Sequence, residues 1–483
     1  MNSRLPAGEK TFFGHPVGLF YLSFTEAWER FSYYGMQTLL VLYMTKQLLL
    51  TPHVERVAGF QGYLAALEWL PTVFRSAGHC VLHMGDCRML PATHLSNVAI
   101  ASQTFGWYAS LVYLTPLLGG LLADRVLGRT RTVTLGAILM SIGHFLMAFD
   151  VSFLLALLCL LVGVGCFKGN IATQVGDLYD KADNRRADAF QFYFFGIQIA
   201  VIIAPIVTGG LAQGIAWHWG FGAAGVGMVI GLLIYLAGRK HLPPETVVVR
   251  GQPRPERPKL APGEGKSVLV LVALLPILAL SGIGNQQMGN AYLLWGDANL
   301  QLKFLGFNTP VTWLISLDAI VSAITMAGSV IFWRWWSKIR TEPNEITKLT
   351  IGTSIAALAP LCLAAASLHP AGQKASMLWA VAFHIVNDIG FANIFPVGLA
   401  LYSRAAPRAI GGTMIAVYYL NMVGCNQLVG QLGGLLDKMT GATFWIMHAA
   451  IIGVAAVLFF LARTAAGRTL APKVDPEEAL APA

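Results

Sequence analysis

Residues 17–45 read Val17-Gly-Leu-Phe-Tyr-Leu-Ser-Phe-Thr-Glu26-Ala-Trp28-Glu29-Arg30-Phe-Ser-Tyr33-Tyr34-Gly35-Met-Gln37-Thr-Leu-Leu-Val-Leu-Tyr-Met-Thr45. The run is long enough to cross a bilayer, which takes about 20 apolar residues. Yet Glu26, Glu29 and Arg30 sit within little more than one turn of its middle. Glu26 and Arg30 are four residues apart on one helical face, which Tyr33 and Gln37 continue. Facing lipid, three charges would be ruinous, so they must face an aqueous cavity or one another. The bland reading, a helix-locking ion pair, is weaker than a functional one, because intramembrane charge is rare and costly.

The rest of the chain agrees with a membrane bundle. Of 483 residues, 55% are hydrophobic and 12% charged, where a water-soluble protein carries roughly a quarter charged residues. That balance excludes a disordered, collagenous or coiled-coil chain and argues against a cytosolic enzyme. Twelve candidate spans are expected: about 17–45, 103–123, 131–150, 152–175, 188–212, 218–239, 267–298, 310–335, 345–368, 376–403, 408–436 and 443–463. Between the sixth and seventh lies a Pro-rich, charged stretch with Arg250-Gly-Gln-Pro-Arg254-Pro-Glu-Arg257-Pro-Lys259, which cannot bury a core. The expected organisation is an N-terminal six-helix bundle (1–239), a cytoplasmic linker (240–266) and a C-terminal six-helix bundle (267–483). Six helices on each side of a tether is the architecture of two-halved transporters, whose substrate site lies near the midplane.

The net charge of +9 does not indicate nucleic acid. With both termini on one side, that side holds 24 of the 33 Lys and Arg, which places both termini in the cytoplasm of a multi-pass inner (plasma) membrane protein in contact with lipid. The polar N-terminus and charged first run are unlike a signal peptide. The connector of about 55 residues between spans 1 and 2 reads as partly helical at the outer interface. Within it, Cys80 and Cys87 would pair only if the connector faces an oxidising space. Pro116, Pro205, Pro276 and Pro396 interrupt spans. The histidines show no ligand spacing, so no metal site, cofactor or catalytic residue is expected.

The segment Glu26-Ala-Trp28-Glu29-Arg30-Phe-Ser-Tyr33-Tyr34-Gly35 matches ExxERFxYYG and resembles the signature of the proton-coupled oligopeptide transporter (POT) family, within the major facilitator superfamily. Asp124-Arg-Val-Leu-Gly128-Arg129 resembles the superfamily loop whose acid and basic residues latch the cytoplasmic side. Tyr113-Leu-Thr-Pro116 and Gly165-Cys-Phe-Lys168-Gly-Asn170 also resemble family motifs, with Gly169 for a usual proline. Asp177, Arg185, Arg186 and Phe190 stand where the family has similar residues. The resemblance implies a major facilitator fold and symport of di- and tripeptides with protons, and no enzyme activity.

Glu26, Glu29, Arg30 and Lys168 sum to zero charge. Protonating one glutamate leaves +1, ready for a peptide carboxylate. The resemblance assigns Arg30 and Lys168 to that carboxylate and the glutamates, with Arg30, to proton coupling; Tyr34 and Tyr113 match pocket-lining positions. The C-terminal half departs from the family. Gln286-Gln287 replaces an acid and Gln, and Gln37 replaces the arginine that the acid would pair with, so neither charge is stranded. Phe391 replaces the span-10 acid expected to hold the peptide amine. Asp388 lies one turn earlier, with Asp318 in span 8 as helper. Gln198 stands for an asparagine and Tyr418 for a tryptophan. Glu26, Glu29, Arg30, Tyr34, Tyr113, Lys168, Gln198, Gln286, Asp318, Asp388 and Tyr418 form the expected substrate and coupling set. The alternative on the same fold is a proton-coupled transporter of a non-peptide solute; an intramembrane enzyme would need a metal-binding or nucleophilic constellation that the sequence lacks, and a transport-incompetent receptor is separated by uptake into proteoliposomes.

Overall fold

The computed structural model describes residues 11–82, 94–180, 183, 185–243, 264–304, 306–370, 372–466 and 470. It is built from long helices, as a chain that must satisfy every backbone group without water requires. These are α1 Val17–Tyr43, α2 Asn97–Leu122, α3 Arg129–Leu146, α4 Phe153–Asp177, α5 Arg185–Gly214 and α6 Trp217–Gly238. In the second half of the sequence come α7 Glu264–Ser281, α8 Trp313–Trp336, α9 Glu345–Ala366, α10 Leu378–Ala392, α11 Gly411–Gly433 and α12 Gly441–Ala466. Among the described residues, nine helices are long and apolar enough to cross a membrane. The other three are α1, which carries the charges, α3, which opens on Arg129 and Arg131, and α11, which carries Asn421, Asn426 and Gln427.

Two of the expected spans are discontinuous. The seventh ends its regular helix at Ser281 and continues as short turns before Ala291–Asn299. The tenth stops at Ala392 and restarts as Phe395–Ala405, with Pro396 in its first turn, where a missing N–H costs nothing. Pro116, Pro205 and Pro276 instead lie inside continuous helices. Broken helices in membrane proteins are tolerated where the freed backbone is covered by protein or lines a cavity.

The chain forms two compact units. The first comprises residues 1–252 with 287–320 and 429–438, so it draws on both halves of the sequence. In it, α1 packs on α5 and α6, α2 on α4, and α3 on α4 and α6. Ser32 Oγ donates to Ala224 O at 2.7 Å, pinning α1 to α6. The approach of α2 to α4 depends on Gly119 and Gly165: a Cβ at Gly119 would lie 1.9 Å from Gly165 O. The second unit holds 253–286, 321–428 and 439–483. Its core gathers Leu271, Leu349, Tyr402, Tyr418, Ile452 and Phe459.

The connector contains the helix Phe60–Leu82, tied to α2 where Tyr63 Oη donates to Thr104 Oγ1 at 2.8 Å. Cys80 is disulfide-bonded, whereas Cys87 lies outside the described residues. Most of the linker 240–266 also lies outside them. A hairpin of Thr11–Phe12 and His15–Pro16, absent from the sequence reading, precedes α1.

Candidate functional site

The first unit contains a cluster of buried charge. Glu26, Glu29 and Arg30 are 3%, 1% and 4% exposed. The guanidinium of Arg30 grips Glu29 with two donors, Nε to Oε2 at 2.5 Å and Nη2 to Oε1 at 2.7 Å. Its Nε also lies 3.3 Å from Glu26 Oε1. The helical spacing predicts the Glu26–Arg30 pair; the tighter contact with the adjacent Glu29 is a finding of the structure. Planar, two-donor pairing is what makes arginine tolerable in a dry interior. Glu26 holds its carboxylate less tightly: Oε2 is buried with no hydrogen-bond partner among the described residues.

Aromatic groups complete the setting. Arg30 stacks 4.9 Å over the Tyr33 ring, and Tyr33 stacks on Tyr108 at 6.5 Å. Tyr193 of α5 faces Glu26, and Tyr34 faces Arg30. Tyr33 continues the helical face of Glu26 and Arg30, whereas no one-dimensional pattern marks Tyr193 as a neighbour of the cluster.

Lys168 on α4 is half-buried and comes within electrostatic range of Glu26, Glu29 and Arg30. It makes no ion pair among the described residues. Its ammonium lies 4.8 Å over the Tyr113 ring instead, an attraction that holds a cation without neutralising it. The structure thus brings together Glu26, Glu29, Arg30, Tyr34, Tyr113 and Lys168. Gln198, on α5 as well, is exposed.

The same unit closes one end of the bundle across the two halves of the sequence. A Cβ at Gly209 would fall 1.8 Å from Thr312 Oγ1, and one at Gly289 would lie 2.8 Å from the Phe105 ring. Gln213 accepts from Val311 N at 3.2 Å, and Asn290 Nδ2 donates to Val429 O at 3.1 Å. Lys46 pairs with Asp297 at 2.5 Å. An ion pair that no sequence pattern marks thus joins these segments of the first unit. Both partners are partly exposed, so the pair contributes about 0–1 kcal/mol. At the opposite end, Arg129 bridges Asp124 and Asp177, and Arg185 Nη1 donates to Gly14 O at 2.9 Å.

In the second unit, Gln286 Nε2 donates to Asn285 Oδ1 at 3.1 Å. A neutral bond of this kind is worth about 0.5–1.5 kcal/mol net. If the chain carries out the transport that the sequence resemblance implies, Gln286→Ala should change it only modestly, by several-fold at most; complete loss of uptake in liposomes would show a substrate role. Asp388 is 1% exposed and accepts from Asn387 Nδ2 at 3.1 Å. Phe391 stacks on Phe395 at 5.7 Å. Tyr418 is part of the core, and its hydroxyl donates to Phe395 O at 2.7 Å. Asp318, in the first unit, is half-buried on α8.

Long broken helices, buried intramembrane charge and an interlocked end define a multi-pass membrane protein of transporter architecture. A model of the POT family matches residues 130–251 and 263–447, and the chain belongs to that family. It is 28% identical over 490 residues to the uncharacterized transporter YclF of Bacillus subtilis, covering 89% of this chain and 90% of the relative. It is also 28% identical over 512 residues to a di-/tripeptide transporter of Lactococcus lactis subsp. cremoris, covering 92% and 94%. A solved peptide transporter POT in complex with sulfate superposes with a TM-score of 0.77 at 23% identity, over 95% of this chain and 97% of that one. A POT family transporter solved with 5-aminolevulinic acid gives 0.76 at 20% identity, over 95% and 98%. The fold is the all-α major facilitator fold.

Proposed function

We propose that the protein is a proton-coupled symporter that imports di- and tripeptides across the plasma membrane by alternating access of two six-helix halves, with both termini cytoplasmic. One observation carries this reading. Arg30 is held by two carboxylates, whereas Lys168 makes no ion pair among the described residues and lies over the Tyr113 ring. A proton on Glu26 loosens the hold on Arg30 and leaves the cluster at +1. The peptide carboxylate restores neutrality on Lys168 and Arg30, so proton and peptide bind cooperatively through local charge balance. Glu29 stays bound to Arg30 and keeps the cluster folded. Tyr34 and Tyr113 border the same volume, with Gln198 further along α5. The interlocked end, with Gln37 and Gln286 near it, is the outer one in this topology.

Purified protein in liposomes should accumulate a labelled dipeptide when the outside is acidic, and a protonophore should abolish the accumulation. Uptake indifferent to the protonophore would refute proton coupling. No cofactor takes part; the proton is the coupling ion.

The peptide amine is assigned to Asp388, with Asp318 as helper and Tyr418 shaping the site from within its core. Asp388→Asn should weaken dipeptide binding by about tenfold or more, because a hydrogen bond to a charged group contributes about 1.5–3 kcal/mol. N-acetylated dipeptide should compete poorly against the parent. Equal affinity in the variant, or equal competition by the acetylated peptide, would place the amine elsewhere. The non-peptide reading is favoured by Phe391 at the usual acid position, and competition of dipeptide uptake by amino-acid conjugates and nitrate discriminates the two.

A further inference from the structure

The end of α8 and the turn that follows it read Phe332-Trp333-Arg334-Trp335-Trp336-Ser337-Lys338-Ile339-Arg340. Its rings form one cluster: Phe332 lies 5.0 Å from Trp333 and 5.8 Å from Trp336. The cluster is fixed to the rest of the second unit, because Trp333 Nε1 donates to Asn393 Oδ1 at 2.7 Å and Lys348 sits 4.6 Å over the Trp333 ring. Outside this anchored face the helix end is open. Ile331, Trp335 and Ile339 are 68%, 55% and 59% exposed.

Charge at this end is unbalanced. Arg334, Lys338 and Arg340 are exposed and form no ion pair among the described residues. The nearby acids are already committed, Glu342 to Lys348 and Glu345 to Arg404. Arg340 lies 5.5 Å over Trp336, which sets its guanidinium beside the rings. Aromatic rings at the end of a membrane helix mark the headgroup level, and clustered cations there attract anionic lipid.

We propose that this collar is a binding surface for anionic phospholipid, with the phosphate held by Arg334, Lys338 and Arg340 and the acyl chains lying along Ile331, Trp335 and Ile339. None of these residues belongs to the transport cluster on α1 and α4, and the proposal goes beyond the transport reading. Each cation contributes roughly fivefold.

Full-length protein in detergent, mixed with equal amounts of phosphatidylglycerol and phosphatidylcholine of the same chain length, is examined for retained lipid by native mass spectrometry. The parent should retain phosphatidylglycerol in about hundredfold preference, the product of three roughly fivefold contributions, and R334Q/K338Q/R340Q should retain both equally. R239Q/K240Q, which removes exposed cations elsewhere, should keep the preference. No preference in the parent, an unchanged preference in the triple variant, or an equal loss in R239Q/K240Q overturns the proposal. Glycerol phosphate should not displace the lipid; displacement as efficient as by intact phosphatidylglycerol would make the ligand a free phosphate ester and overturn it as well.

Discussion

Glu26→Gln is expected to abolish concentrative uptake while leaving exchange of peptide across the membrane intact. Each unit of pH gradient, at one proton per peptide, sustains about a tenfold accumulation, so the variant should fall from that level to simple equilibration. The substitution is nearly isosteric and mimics the protonated acid. Glu26 is also the member of the cluster whose removal the fold tolerates best: Arg30 keeps two donors on Glu29 at 2.5 and 2.7 Å. Glu29→Gln differs, because it strips the bidentate partner from a buried guanidinium, a loss costing about 3–5 kcal/mol. That variant should show reduced yield and thermal stability as well as lost transport. Two measurements separate the roles: accumulation under an imposed pH gradient, and counterflow in liposomes preloaded with unlabelled dipeptide. If Glu26→Gln accumulates dipeptide like the parent, or loses counterflow altogether, Glu26 is not the coupling group.

The cluster was legible in the sequence because charge inside an apolar run has few explanations, and the ExxER spacing names the residues. Its internal pairing was not. Helical periodicity points from Arg30 back to Glu26, but the side chain folds onto the adjacent Glu29, a choice made by burial and two-donor geometry. The breaks in the spans were only half legible. Proline marks one at Pro396, yet helices run through Pro116, Pro205 and Pro276, while the seventh span breaks where there is no proline. Neighbouring helices decide where a freed carbonyl can be satisfied, and a single chain read in one dimension does not show its neighbours. The same limit hid the Lys46–Asp297 pair, whose partners lie 251 residues apart, and the anchoring of Trp333 on Asn393.

Lys168→Ala should weaken binding of free dipeptides by about 10- to 100-fold, as loss of a charge-assisted hydrogen bond worth about 1.5–3 kcal/mol requires. The geometry makes the effect specific. Arg30 is largely occupied by Glu29 and Glu26, so it cannot fully replace the lost ammonium. Among the described residues Lys168 makes no ion pair whose loss would strand an acid; truncation removes only its contact with the Tyr113 ring. The fold should therefore survive, and Lys168→Ala should melt within a few degrees of the parent. A C-terminal amide lacks the carboxylate that Lys168 is assigned to hold. The parent should discriminate strongly between a dipeptide and its amide, and the variant should bind both with similarly low affinity. Lys168→Arg should restore only part of the preference, since a planar fork does not place its charge as a compact ammonium does. A variant that still prefers the free acid by the parental ratio would show that the carboxylate is held elsewhere.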